Sequence, residues 1–444
     1  MPERLGFQAI IARMIANATD ANQEISVCSR KTRSTWLANI GQAVEQDAEQ
    51  FVDLIVRFGS KTIRQARAEV SRCAETFHLA SMEALALAGK ECPFDQSPAG
   101  HDRFGMWVRK PIGIIVGITP YNDPLNLVAH KIAPALAVGA AVIVKPHPRT
   151  LAVADLLLSK VVSAGVPGNS VQLANCTATE TTQLVAMPEV AVVSFTGGKA
   201  GGTDIAHAAA GKRILMELGG VNTTVVDRSL ELDVKLIAKQ IASGIAYAAG
   251  QNCIHTQRII IHGHRYDAIV AALVLELEEL RVGDQTLEET DVGPLTTIEH
   301  AKMVYSQIAS ALSCGAQILH GGSGEGRYVQ PTLLSSVPAN HPILNTEIFG
   351  PVAIVERASD FDEILELSKR CVPMINASIY SVSLPNIIRF FESVNAGTVI
   401  VNDSTDFRVD NMPFGGNGSA GVGREGIRFA IEQYTEPKLL CIRR

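Results

Sequence analysis

From Trp107 onward the chain keeps one rhythm: short runs rich in β-branched residues, each followed by a segment of helix length. The runs Ile114–Ile118, Ala141–Lys145, Val171–Ala174, Val190–Phe195, Arg213–Glu217 and Thr223–Val226 form a first series, with stretches such as Pro124–Val138 and Leu151–Ala164 between them. These runs are apolar throughout and do not alternate, so both faces of their sheet must be covered. Alternating β and α segments of this kind predict an α/β fold with a parallel sheet between two layers of helices. A second series follows: helix Leu236–Ala249, strand Gln257–His262, helix Tyr266–Leu280, strand Gln317–His320 and a loop-rich region to Pro351. It continues through Val352–Arg357, Phe361–Lys369, Ala377–Ser381, Leu384–Val394 and Val399–Asn402, a second α/β unit facing the first across a cleft. Before Trp107, the spacing of Trp36, Ile40, Val44, Phe51, Leu54, Ile55 and Phe58 is helical, and Gly89 offers a stop.

At 444 residues the chain has room for roughly three units of about 150 residues each. Hydrophobic residues are 47% and charged residues 19%, which fits a soluble globular protein and not a disordered one. A net charge of -6 without basic runs gives no footprint for a phosphate backbone, so no nucleic-acid partner is expected. The longest apolar run, Ile132 to Val144, contains Pro134, ends at Lys145 and falls short of the ~20 residues a membrane span needs. The N-terminal stretch carries Arg13 within its apolar part and reads as a helix, not a signal peptide. Eight scattered cysteines with no C-x-x-C pair argue against a disulfide framework and a zinc ribbon, and point to a reducing, cytoplasmic compartment. No H-E-x-x-H is present, and no metal is expected.

In open α/β sheets, ligands sit beyond the carboxyl ends of the strands. Four strands here end in polar or glycine-bearing segments: Thr119-Pro120-Tyr121-Asn122, Lys145-Pro146-His147-Pro148, Thr196-Gly197-Gly198 and Glu217-Leu218-Gly219-Gly220. The turn Thr196–Gly202 would let a backbone approach a phosphate at a helix N-terminus. It is neither G-x-G-x-x-G nor a Walker A loop, and taken alone it fits a tight connection equally well. A free cysteine is most often an inert core residue. Cys253, however, follows Gly250, Gln251 and Asn252, which suggests a loop exposing backbone N–H groups that would stabilise a thiolate and an oxyanion. Cys176, Cys314 and Cys371 lie beside apolar or helical patterns and read as structural. Glu217 and Glu347 each read as a solvated carboxylate or as a cleft base whose pKa burial raises.

Seven motifs in order resemble the aldehyde dehydrogenase superfamily: Pro120-Tyr121-Asn122, Lys145-Pro146, Phe195-Thr196-Gly197-Gly198, Glu217-Leu218-Gly219-Gly220, Gly250-Gln251-Asn252-Cys253, Glu347-Ile348-Phe349-Gly350-Pro351 and Pro413-Phe414-Gly415-Gly416. The likeness runs from about residue 30 to the end. Within the superfamily, Asn122–Asn126 and Asn402-Asp403-Ser404 resemble a bacterial branch with lactaldehyde-like and phosphonoacetaldehyde-like enzymes. The resemblance implies two Rossmann-like parallel-sheet domains with a small β oligomerisation arm. The cofactor-binding domain would span 1–95 and 112–217, the catalytic domain 218–407, the arm 96–111 and 433–444, and a Gly-rich return segment 408–432.

By the same resemblance, Cys253 is the nucleophile, Asn122 with the Cys253 N–H holds the oxyanion, and Glu217 activates the hydrolytic water. The cofactor, NAD or NADP, would have its riboses on Lys145 and Glu347, its nicotinamide near Phe349 and its pyrophosphate over Gly197 and Gly198. Thr119, Pro120, Pro148, Arg149 and Gly219 would complete its contacts. The partners implied are a small aldehyde and further copies of the chain, as a homodimer or homotetramer.

Departures from the family pattern carry their own expectations. Pro148 and Arg149 replace the carboxylate that favours NAD, so NADP is expected to be tolerated or preferred. His147-Pro148-Arg149 resembles CoA-acylating relatives, but those lack the base glutamate, so Glu217 favours hydrolysis. Asn252 stands where phosphate-oxidising relatives carry an arginine, which leaves Arg103 and Arg408 as sources of positive charge. Gly418 and Ala420 replace the usual lysine and serine, and the short chain before Asn122 implies that the family's first strands are missing. A catalytically silent binding protein is disfavoured by the intact Cys253, Glu217 and Asn122. A cysteine hydrolase would need a nearby histidine. His255 is expected to point aside, and His262 and His264 to bracket a turn.

Overall fold

A computed structural model describes residues 2–229, 232–371 and 373–444, with side chains from Gly6 onward. The first large sheet has six strands, in the order Gly421–Val422, Arg213–Glu217, Val190–Thr196, Ile114–Ile118, Val142–Lys145 and Val171–Leu173. All pair in parallel except Gly421–Val422, which runs antiparallel to Arg213–Glu217. Successive strands step outward in one direction from Ile114–Ile118 to Val171–Leu173, then jump back to Val190–Thr196 on its other side. A crevice opens where that order reverses. Asn122 and Gly197 follow the two strands that flank it.

Apolar continuity explains this sheet. Every residue of Ile114–Ile118 is buried, and so is every residue of the helix Asn126–Val138 that covers it. That helix stops at Gly139, whose φ of 79° suits glycine and whose missing side chain leaves room for Arg33. Arg33 Nη1 donates to the freed Val138 carbonyl at 2.7 Å. The helices Arg30–Gln46, Ala48–Phe58 and Ile63–Ala86 complete the layer, and Leu37, Ile40, Phe51, Ile55 and Phe77 join Leu136 in one core. Each such side chain contributes ~1.5–3 kcal/mol by leaving water.

The second sheet has seven strands, in the order Gln317–His320, Thr332–Ser335, Val352–Ala358, Thr256–His262, Asn222–Val226, Met374–Tyr380 and Ala396–Val401. Only Gln317–His320 pairs antiparallel. Lys90–Cys92, Arg103–Pro111 and Thr435–Arg443 form a separate antiparallel sheet.

Several features depart from the sequence reading, and Thr223–Val226, read with the first series, pairs in the second sheet. The region to Pro351 is not only loop, because Thr332–Ser335 is a fully buried strand inside the sheet. Its four residues, squeezed between Pro331 and Ser336, are too few to show a period. Helix Ile298–Ser313 also lies outside the expected series, capped by Thr297, whose Oγ1 accepts the His300 N–H at 3.0 Å. The arm sheet takes in Lys90–Cys92, while residues 94–100 form two 3-10 turns. Before Lys90 the described chain holds four helices and no strand. Among the described residues no helix is long and apolar enough to cross a membrane, and no cluster of side chains could hold a metal ion.

Candidate active site

A cavity of about 530 Å³ lies between the two large sheets, within the usual range for small-molecule sites. Asn122, Glu217 and Cys253 line it together with Pro120, Gly197, Gly198, Gly219, Glu347 and Phe349. Thr119, Lys145, Pro148 and Arg149 are not on its wall. Thr119 is buried and donates its N–H to the Lys145 carbonyl at 3.1 Å. Pro148 and Arg149 are exposed, and the Arg149 N–H bonds to His147 Nδ1 at 3.3 Å. The His147 ring meets Tyr121 edge-on at 5.4 Å, and Tyr121 meets Phe349 at 6.2 Å. This second group therefore adjoins the cavity through Tyr121.

The chain reaches Cys253 through an uncommon turn. After helix Val234–Ala246, residues Ala248, Ala249 and Gly250 take φ values of 52°, 55° and 69°. The left-handed region costs an alanine about 1 kcal/mol or more. Gly250 is required as well, since a Cβ there would run into the Gly350 carbonyl. Gln251 holds the turn: its Nε2 donates to Ala248 O at 3.0 Å and Pro294 O at 3.3 Å, and its Oε1 accepts the Thr296 N–H at 2.9 Å. Beyond it, Asn222 Nδ2 donates to the carbonyls of Cys253 at 2.8 Å and His255 at 3.1 Å, and Thr405 Oγ1 donates to that of Ile254 at 2.8 Å. The carbonyls are tied back, whereas the Cys253 N–H forms no hydrogen bond among the described residues.

The thiol is half-buried, against Ile254, Ile375 and Phe414. Burial pushes its pKa up. Arg408 opposes the rise, and the carboxylates of Asp123, Glu217 and Glu347 add to it. Burial and these carboxylates thus work against the thiolate that the loop's N–H groups would stabilise. Its surroundings include three acidic residues from distant segments. His255 is buried and neutral: burial lowers it to about 4, and its Nε2 has no partner. It does not reach the cavity, so the cysteine-hydrolase arrangement is not formed.

Asn122 is buried, and its Oδ1 has no hydrogen-bond partner among the described residues. The next residues are pinned. Lys61, fully buried, pairs with Asp123 and donates to Glu69 Oε2 at 2.9 Å. Glu69 Oε1 accepts the N–H groups of Leu125 at 2.8 Å and Asn126 at 3.1 Å.

Glu217 is 2% exposed, and neither carboxylate oxygen has a hydrogen-bond partner among the described residues. Burial raises its pKa well above the ordinary value; Glu425 adds to this, while Arg408, Lys131 and Arg424 oppose it. Gly415 leaves the carboxylate its space, because a Cβ there would meet Oε1. Glu347 is similar, with Oε1 unpartnered and burial raising the carboxyl to about 7, against Lys199 and the Gly220 N–H. Its carboxylate occupies the volume that a side chain at Gly219 would fill. Gly198 faces open space at the N-terminus of helix Lys199–Ala208, a setting that favours a phosphate. An open helix start, an orphaned acceptor on Glu347 and the Phe349 ring together fit a nicotinamide dinucleotide.

Glu425 on the wall, and Lys131 behind it, were not singled out from the sequence. Lys131 is fully buried in the apolar helix, donates to Thr196 Oγ1 at 2.8 Å and pairs with Glu425. Gly117 makes its passage possible, since a Cβ there would lie 2.7 Å from Lys131 Cβ. Against burial, Lys131, His130 and Arg408 hold Glu425 down at about 2. A lone lysine in an apolar helix was the available signal, because a buried ammonium requires a partner. Of the two candidate arginines, Arg408 lines the cavity. Arg103 lies on the arm, 3.7 Å from Asp102.

The profile of the Aldehyde dehydrogenase family matches residues 5–440. The chain is 40% identical to Aspartate-semialdehyde dehydrogenase 1 of Pseudomonas canavaninivorans, over 93% of this chain and 87% of that protein. The crystal structure of aldehyde dehydrogenase 21 from Physcomitrella patens in complex with the reaction product succinate superimposes with a TM-score of 0.94 at 30% identity, covering 97% and 89% of the two chains. That of NADP-dependent glyceraldehyde-3-phosphate dehydrogenase from Bacillus halodurans C-125, complexed with NADP, gives 0.95 at 29% identity, covering 98% and 91%.

Proposed function

The chain belongs to the aldehyde dehydrogenase family, and from that premise we propose that it oxidises a small aldehyde to the carboxylic acid with NAD or NADP, through a covalent bond to Cys253. The observation that carries this reading is the meeting of Cys253, Asn122 and Glu217 on one cavity wall. The thiol gives its proton to water, the resulting thiolate attacks the carbonyl carbon, and the oxygen that becomes negative lies with the Cys253 N–H and the Asn122 amide. Each such donor is worth ~3–4 kcal/mol in a dry site. NAD(P), when bound, supplies the hydride acceptor that turns the thiohemiacetal into a thioester. Glu217, once ionised, takes a proton from the water that hydrolyses the thioester. Neither oxygen has a hydrogen-bond partner among the described residues, which leaves both able to do so. Glu347 would accept hydrogen bonds from a ribose, and Gly198 would face the pyrophosphate.

On this reading residues 1–95 and 112–217 form the cofactor half and 218–407 the catalytic half, with 408–432 returning the chain beneath Glu217. The arm leaves Leu439, Leu440 and Ile442 exposed, which supports a homodimer or homotetramer that covers them. Eight free cysteines support a cytoplasmic setting.

Mass spectrometry tests the covalent step. Glu217→Gln incubated with butanal and NAD(P) should accumulate an acyl adduct on Cys253, and Cys253→Ala should lose oxidation while still binding dinucleotide. Turnover by Cys253→Ala would end the proposal.

A further inference from the structure

Arg408 is the one cation of the cavity wall whose hydrogen bonding is largely unmade among the described residues. Its side chain is 9% exposed and its guanidinium lies 3.6 Å above the Phe414 ring. A guanidinium carries five N–H donors. Here it forms a single long hydrogen bond, from Nη2 to Glu425 Oε2 at 3.4 Å, while Nε is buried without a partner. The carboxylate that could have satisfied it, Asp410, is 3.8 Å away and otherwise engaged. Arg72 takes Asp410 with two nitrogens, at 2.9 and 3.3 Å, and His130 takes it at 2.8 Å. Arg72 is thus satisfied and Arg408 is left over.

The leftover donors lie close to the chemistry. Phe414 packs with Ile254 and Cys253 in one apolar cluster, and Arg408 and Cys253 line the same cavity. Arg408 is also the cation that draws the Cys253 thiol downward. Among the acids on the same wall, Asp123 is paired with Lys61, and Asp406 accepts a hydrogen bond from Ser243 at 3.2 Å.

We propose that Arg408 is a specificity-determining residue that anchors an oxyanion on the substrate, so that the preferred aldehyde carries a carboxylate or sulfonate a few carbons from its carbonyl. This inference rests on Cys253 being the nucleophile. A single charge fits best. The ionised Glu425 and Asp410 flank the guanidinium and repel a second negative charge, and Asn252 beside the nucleophile adds no cation. Charge-assisted hydrogen bonds of this kind raise affinity by ~10- to 100-fold.

Steady-state kinetics with NAD(P) test it, using succinic semialdehyde, sulfoacetaldehyde, phosphonoacetaldehyde and butanal. The wild type should favour succinic semialdehyde or sulfoacetaldehyde over butanal by ~30-fold or more in kcat/KM, chiefly through KM, with phosphonoacetaldehyde behind the favoured one. Arg408→Met should bring the ratio of anionic to neutral aldehyde close to one, and Arg408→Lys should restore part of it. Butanal turnover should itself fall in Arg408→Met, because Cys253 loses a neighbouring positive charge; the ratio is the readout. Should Arg408→Met fail to fold, inhibition of wild-type butanal oxidation decides: succinate should compete at least ~10-fold better than butyrate. Equal rates for butanal and the anionic aldehydes, a ratio unchanged in Arg408→Met, equal inhibition by succinate and butyrate, or phosphonoacetaldehyde as the best substrate would each overturn the inference. In all four cases butanal oxidation would leave the proposed function standing. No turnover of any aldehyde, with no adduct on Cys253, would remove both.

Discussion

Lys61→Met strands two buried carboxylates next to Asn122. The lysine ammonium is buried between Glu69 and Asp123, with its Nζ 5.7 Å from the Tyr247 ring centroid. Both carboxylates lose their counter-charge in the variant, and breaking a buried pair by removing one partner costs ~3–5 kcal/mol. Glu69 can discharge by binding a proton, since burial already raises its pKa and its bonds to the Leu125 and Asn126 N–H groups survive. Asp123 keeps the favourable fields of Arg72 and Arg408. The lower end, about 3 kcal/mol, is therefore expected. With an unfolding entropy of ~2.1 cal/mol/K per residue, a chain of 444 residues loses ~3 °C of melting temperature for 3 kcal/mol. The effect on rate should be larger than the effect on stability. Asn122 precedes the pinned turn, and a displacement of ~1 Å in a catalytic group costs ~100-fold. Differential scanning calorimetry and steady-state kcat on the purified variant give both numbers. A triple variant, Lys61→Met with Glu69→Gln and Asp123→Asn, removes the stranded charges and should regain most of the lost stability. If the single variant melts and turns over like wild type, or the triple variant is no more stable than the single, the clamp is not what holds the turn.

Three further outcomes follow from the same geometry. Glu425 is held at about 2 and Asp410 below the usual carboxylate range, so both contribute stability above their unfolded values near 4 and lose it as the pH falls. Their contribution is constant from pH ~7 to ~5 and falls below that, so the drop in denaturant midpoint between pH ~5 and ~2 should be smaller in Glu425→Gln than in wild type; an equal drop contradicts this. Glu347 binds its proton up to about 7, so dinucleotide affinity should improve as the pH rises through that value, and titration calorimetry of Glu347→Gln should show the pH dependence abolished. Pro148 and Arg149 leave no carboxylate to repel a 2′-phosphate, so kcat/KM with NADP should equal or exceed that with NAD, and Arg149→Glu should shift preference toward NAD; a strong NAD preference in wild type counts against it.

Most strands of the parallel sheets were legible because they are apolar and separated by helix-length segments. Thr332–Ser335 was not, since its pairing with Val352–Ala358 decides its state and four residues carry no period. The site divides in the same way. Cys253, Asn122 and Glu217 belong to short motifs that keep a fixed order, and the structure brings all three to one wall. The ion pairs around them are invisible in one dimension, because Lys131 and Glu425 are 294 positions apart and Lys61 and Asp123 are 62 apart. The reactivity of Cys253 fell between the two. Its loop could be read locally, but the burial that raises its pKa, and the acids that add to the rise, come from elsewhere in the chain.

The consecutive left-handed residues before the nucleophile set a boundary for anyone reshaping this enzyme. Positions 248 and 249 are alanines with φ near 52° and 55°, where branched side chains are excluded by sterics. Mutant libraries meant to widen the range of accepted aldehydes should restrict these two codons to alanine, glycine and asparagine. Diversity is better placed on the opposite bank of the cavity, where a new side chain can alter what fits without unwinding the hinge that aims the sulfur.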